Sequence, residues 1–189
     1  IGEILGKAVA KIIPEIQFCD SIELKSNLKS INELPKKAFP SIKEAKEKLN
    51  NAINRLKQLR KSNAPKQETR TAECDWFGAE ETLTLSKAAV NGDLENEYKS
   101  CLPAEIQVLK IGNWIFVGWP GECFIEYALE IKSRMPNTFI ISLANGEMQG
   151  YIVTKEAAKE GGYEASNALF SHETGEIFVN KTLELIKEL

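Results

Sequence analysis

"AEIQVLKIGNWIFVGWPGE", residues 104–122, is the stretch whose reading decides the fold. Two β-rich runs flank Gly112 and Asn113, a residue pair suited to a two-residue hairpin turn, so the spacing predicts an antiparallel hairpin. The second run, from Trp114 to Trp119, is apolar at odd and even positions alike, the pattern of a strand internal to a sheet and covered on both faces. It ends at a Pro120-Gly121 corner that carries Glu122, with a helix expected over roughly 124–135. An acid at that point is either a first-turn residue favoured by the helix dipole or a group directed into a cleft. Further on, "TFIISLAN" (138–145) reads as another buried strand that empties into "GEMQGY" (146–151), delivering Tyr151 to a second strand-end loop. Sheets fix the position of such loops while leaving them accessible, which makes two of them the first place to look for a binding site.

Upstream the pattern is mostly helical. Ser41 with Glu44 forms a capping box, and Ile42, Ala45, Leu49, Ala52, Ile53, Leu56 and Leu59 make one apolar stripe. "KSNAPKQETR" interrupts the pattern before a second helical segment from about Ala72 to Asn91, closed by Gly92 as a left-handed cap. Residues 41–91 are therefore expected to form a helical hairpin beside an α/β body at 104–189. The opening "IGEILGKAVAKIIPEI" spaces Ile1, Leu5, Ala8, Ile12 and Ile16 as a helix, and "SIELKSNLK" alternates as a strand half open to solvent. A final amphipathic helix is expected to turn Ile177, Leu183, Ile186 and Leu189 inward. The fold class is thus α/β, a mixed sheet with buried central strands flanked by helices, plus the hairpin in the N-terminal half.

A chain of 189 residues, 43% apolar and 27% charged, is long enough to bury a core without disulfide or metal staples. Its net charge of -3 gives no basic footprint for nucleic acid. No run approaches the roughly 18–20 apolar residues of a membrane-spanning helix, and no signal pattern opens the chain. Cysteines 19, 74, 101 and 123 match neither zinc-ligand spacing nor a disulfide scaffold and read as structural thiols. Cys123, beside Glu122, has a rival reading as a nucleophile, which no His-containing motif supports. Trp119 and Phe124 flank the Glu122 corner and serve either as cleft lining or as core packing. The chain opens on Ile1, within what reads as a helix already running, so a segment upstream is expected.

The succession "VGWPGECF" (117–124), "LANGEMQGYIVT" (143–154) and "GGYEASNALFSHETGE" (161–176) resembles the second half of the neutral/alkaline ceramidase catalytic domain and its relatives. The resemblance extends over most of the chain and is concentrated in its last 75 or so residues. It implies that residues 1–189 are the C-terminal part of one hydrolase domain, hydrolysing an N-acyl amide, sphingolipid-like in the type case, with zinc. In that family a Pro-Gly-Glu turn and a Gly-Tyr loop give metal ligands, here Glu122 and Tyr151, and the Tyr of a Tyr-Glu pair, here Tyr163, helps hold the scissile carbonyl. The family's two histidine ligands come from the first half of the domain and have no counterpart here. The single His172 lies downstream in "FSHETGE", a setting that suits a solvent-facing or cap-supporting role. In "NGEMQGY" the chain carries Glu147 and Met148 where well-known ceramidases have a further Tyr. Zinc accepts oxygen donors and acidifies bound water, and a phenol aimed at a developing oxyanion stabilises it, so the three residues suit this chemistry. Two other readings stay open: a metal-free interaction module working through the helical pair, and a degenerate enzyme that keeps only the fold.

Overall fold

The computed structural model describes residues 1–189. At its centre is a four-stranded mixed sheet in the order β1-β2-β3-β5, built from β1 (Leu24–Ile31), β2 (Ala104–Ile111), β3 (Trp114–Gly118) and β5 (Thr138–Ile141). The first three strands are antiparallel; β3 and β5 are parallel and joined by a crossover through α5 (Ile125–Arg134). The hairpin forms at Gly112-Asn113 as the sequence requires, with Gly112 at φ +58. A second, two-stranded parallel sheet pairs β4 (Glu122–Cys123) with β6 (Tyr151–Ile152). The result is the α/β arrangement with helices against a mixed sheet.

The sheet is buried on one face. Ile106, Val108 and Val117 are fully enclosed beneath α8 (Glu173–Lys187), whose Phe178, Val179 and Leu185 meet them. Each such side chain contributes roughly 1.5–3 kcal/mol on burial. Trp119 lies in the same core, its indole Nε1 donating to Thr182 Oγ1 at 3.0 Å, so its polar end is satisfied where water is excluded. Its role is core packing rather than cleft lining, and Phe124 packs partly buried against the same cluster. The expected inward face of the last helix is displaced. Ile186 is buried, but Ile177 and Leu183 are only partly so, and the centre of the face is Phe178, Val179, Thr182 and Leu185. Small polar residues such as Thr174 and Thr182 sit inward because α8 lies close to its neighbours, a choice that apolar periodicity does not register.

The opposite face corrects the two-sided burial expected of β3 and β5. Trp114, Phe139 and Ile141 are exposed, and only alternate residues of these strands are enclosed. Periodicity reports that a side chain is apolar, not that something covers it. The same holds for α1 (Gly2–Ile12), which forms with a 3₁₀ turn at Ile13–Glu15 but buries no residue.

The helical hairpin is α2 (Ile42–Lys61) against α3 (Lys66–Asn91). Both halves of the capping box are made, Ser41 Oγ accepting from the Glu44 amide and the Glu44 carboxylate accepting from the Ser41 amide at 2.9 Å. α3 begins at Lys66, six residues before the expected start, because Pro65 sits just ahead of the first turn, where its missing amide costs nothing. Gly92 caps it at φ +81. α4 (Leu94–Cys101), unforeseen, links the hairpin to β2 and buries Leu94, Tyr98 and Cys101. The glycine-punctuated segment holds two short helices, α6 (Lys155–Glu160) and α7 (Tyr163–Ser166). No helix is long and apolar enough to cross a membrane.

Candidate functional site

After β3 the chain turns sharply at Trp119–Gly121, and the corner is held by backbone bonds to the loop beyond β5. The Ala144 amide donates to the Trp119 carbonyl and the Met148 amide to the Pro120 carbonyl, both at 2.8 Å. A Cβ at Gly121 would lie 3.0 Å from Ile152 Cδ1, so any larger residue there requires that side chain to shift. The turn releases the chain into β4, which pairs with β6 in the register Glu122↔Tyr151 and Cys123↔Ile152. Glu122 is therefore a strand residue, not a first-turn helix acid; the acid in the first turn of α5 is Glu126. Tyr151 likewise stands on a strand and not in a free loop.

Paired residues on neighbouring strands project to the same side, so the Glu122 carboxylate and the Tyr151 phenol stand together, half-buried, while Ile152 anchors the other side in the core. The Glu122 carboxylate is the main reason the Tyr151 phenol titrates above its ordinary range, first as a hydrogen-bond acceptor that favours the protonated phenol and, after burial, through the repulsion between two negative oxygens. Tyr163 completes the group, its ring edge-on to that of Tyr151 at a centroid separation of 6.2 Å. All three residues singled out in the sequence are thus brought together by the fold.

Tyr163 is placed by contacts that the motifs did not reveal. It opens α7, which lies on α3 at Gly78, where a Cβ would come 2.9 Å from Ser166 Oγ and 3.3 Å from Tyr163 Cα. The partly buried Lys37 ammonium donates to the carbonyls of Ala165 and Ser166 at 2.5 and 3.3 Å, and burial lowers its pKa to about 8. Gly150, at φ +77, packs its Cα against the backbone of Asn167 and Ala168, which ties the residue before Tyr151 to the end of α7. A lone glycine inside a helix such as Gly78 is the one signal of this packing that the sequence carried. Tyr163 also borders an open surface groove of about 860 Å³, lined among others by Leu49, Arg70, Phe77, Glu81 and Leu83.

His172 does not join this group. Of the two expected roles, solvent-facing or cap-supporting, it takes the N-cap position of α8 but is half-buried and makes no side-chain cap bond, with Nδ1 unpartnered by any hydrogen bond and 3.6 Å from Glu173 Oε2. Its carbonyl accepts from the Tyr127 hydroxyl at 3.0 Å, a structural contact. All four cysteines are free, and burial pushes the Cys123 thiol well above its ordinary pKa, so it offers no thiolate nucleophile. No cluster of three or more His, Cys, Asp or Glu side chains is present that could hold a metal ion. Glu122 and Tyr151 thus bring a carboxylate and a phenol oxygen together, and His172, the one histidine of the chain, is not beside them. Comparison with protein-family profiles, with curated proteins and with solved structures found no match.

Proposed function

We propose that residues 1–189 are part of a zinc-dependent amidohydrolase of ceramidase-like type, acting on an N-acyl amide, with histidine ligands contributed from outside this stretch. The observation that carries the reading is the side-by-side pairing of Glu122 and Tyr151 across β4 and β6 with Tyr163 edge-on beside them. Zinc, when bound, supplies Lewis acidity and lowers the pKa of its water towards ~7. Glu122 and Tyr151 are the oxygen donors towards it, fixed by strand pairing so that little ordering is left to bring about on binding. The Tyr163 hydroxyl donates a hydrogen bond to the amide oxygen as negative charge gathers there. The groove beside Tyr163, with Leu49, Phe77 and Leu83 in its wall, receives the acyl portion.

The test is made on the native-length polypeptide, by elemental analysis for zinc and hydrolysis of a fluorogenic N-acyl aminocoumarin. Glu122→Gln is expected to lose the metal. Tyr163→Phe is expected to retain it while kcat falls by ~10²–10³, the range for losing one oxyanion donor. Residues 1–189 alone are expected to be inactive, because isolated oxygen donors bind zinc weakly. Full zinc content in Glu122→Gln would refute the assignment. It would favour a metal-free interaction module, for which the exposed apolar face of the sheet, and not the helical pair first expected, offers the surface.

A further inference from the structure

The uncovered face of the main sheet has its polarity reversed. Strand pairing puts Leu24, Ser26 and Leu28 of β1, Gln107, Leu109 and Ile111 of β2, Trp114 and Phe116 of β3, and Phe139 and Ile141 of β5 on one face. No helix lies on it: Leu24 is 65% exposed, Trp114 51% and Ile141 49%. The lysines of these strands alternate to the other side. Lys25 reaches the Leu189 carbonyl at 2.6 Å, Lys29 faces Glu184 of α8, and Lys110 pairs with Glu23 at 3.1 Å. A sheet with one face in water normally shows it polar residues, whereas here solvent meets the hydrocarbon. The open parts of these side chains sum to on the order of 700 Å², above the roughly 300–600 Å² of the largest patch on a typical monomer and close to the ~800 Å² per partner of a standard interface.

We propose that this face is a self-association surface, closed by the same face of a second copy of the chain in a two-fold β-sandwich. Three features favour a second copy. The area matches what a stable pair needs. The strands put one charged residue on this face, Glu105 at its end, already bonded to Asn145 at 3.0 Å. The Lys132 ammonium reaches over the Phe139 ring, 5.2 Å from its centroid, only at the β5 edge, which a two-fold axis along the strands sets against the aliphatic β1 edge of the other copy and not against a second Lys132. Finally, bulk is graded across it, aliphatic at β1 and aromatic at β3 and β5, with Phe116 and Phe139 stacked at 5.5 Å. A two-fold axis running along the strands lays the Leu24–Leu28 edge of each copy over the Trp114–Phe139 edge of the other, which evens the roughly 10 Å spacing of packed sheets. The inference does not depend on the metal reading.

The test is light scattering coupled to size exclusion on the native-length polypeptide, from about 1 to 100 μM. A discrete species of twice the mass of the polypeptide is expected. Trp114, the exposed tryptophan, should become less accessible to acrylamide as the dimer forms, assigned by difference with Trp114→Phe. Leu109→Lys and Phe139→Lys alter exposed positions, so they should keep the far-ultraviolet circular dichroism and melting of the monomer fold while weakening association at least 100-fold. Val90→Lys, on an exposed position of α3, should leave the dimer intact. A monomer throughout the range, a dimer that survives both face substitutions, or polydisperse aggregation with no discrete dimer would each overturn the proposal. So would a complex with a different chain that protects Trp114 while the protein alone stays monomeric.

Discussion

Gly150→Ala is the substitution whose cost is most directly computable, and it tests how Tyr151 and Tyr163 are held together. Gly150 is at φ +77, a left-handed conformation that costs an L-residue roughly 1–2 kcal/mol. Its Cα also lies against the end of α7. A Cβ would overlap the Asn167 carbonyl oxygen and stand 3.0 Å from that carbonyl carbon and 3.3 Å from Ala168 Cα, all backbone atoms that no rotamer change can move. Overpacking of this kind adds about 1–3 kcal/mol. The sum centres on about 3.5 kcal/mol, which for a chain of this size lowers Tm by roughly 7–14 °C. Gly92→Ala is the matched control: φ is +81, but nothing lies within 4 Å of its Cβ, so only the same conformational cost of about 1–2 kcal/mol remains, or roughly 2–8 °C. Thermal denaturation followed by circular dichroism reads both. If the two variants melt within about 2 °C of each other, Gly150 is not wedged against α7 and the coupling of the two tyrosine-bearing segments is wrong.

Two further outcomes follow from the titrating groups. Because the Glu122 carboxylate is the chief cause of the raised Tyr151 pKa, Glu122→Gln should move that phenol back towards its ordinary value. Alkaline titration at 295 nm, with Tyr151→Phe to assign the band, checks this, and an unchanged curve would mean the two groups are apart. The Tyr127 hydroxyl donates to the carbonyls of Val153 and His172 at 2.9 and 3.0 Å, and burial first, then nearby Glu176, raises its pKa to about 12. The unfolded phenol loses its proton near pH 10 and the folded one near 12, so between these values the unfolded state binds fewer protons and stability falls as pH rises. Tyr127→Phe should therefore be less stable than the parent by about 1–2 kcal/mol below pH 10, a difference that shrinks as pH approaches 12 in denaturant titrations. A gap independent of pH over that window would contradict the buried, bonded phenol.

The sequence by itself determined the local elements. The Ser41–Glu44 box, the Gly92 cap and the Gly112-Asn113 turn each satisfy or redirect backbone groups through residues adjacent in the chain, so their chemistry can be read without knowing the fold. The order of the motifs carrying Glu122, Tyr151 and Tyr163 was legible for the same reason. What the sequence did not determine was coverage and close approach. The alternation in β3 and β5 marked apolar residues on both sides, yet only the side under α8 is enclosed, because burial depends on a layer arriving from elsewhere. The pairing of Glu122 with Tyr151 arises from two-residue strands too short to show a period. Gly78, Gly150 and Lys37 hold Tyr163 through contacts with segments distant in the chain, a distance that only the tertiary structure removes.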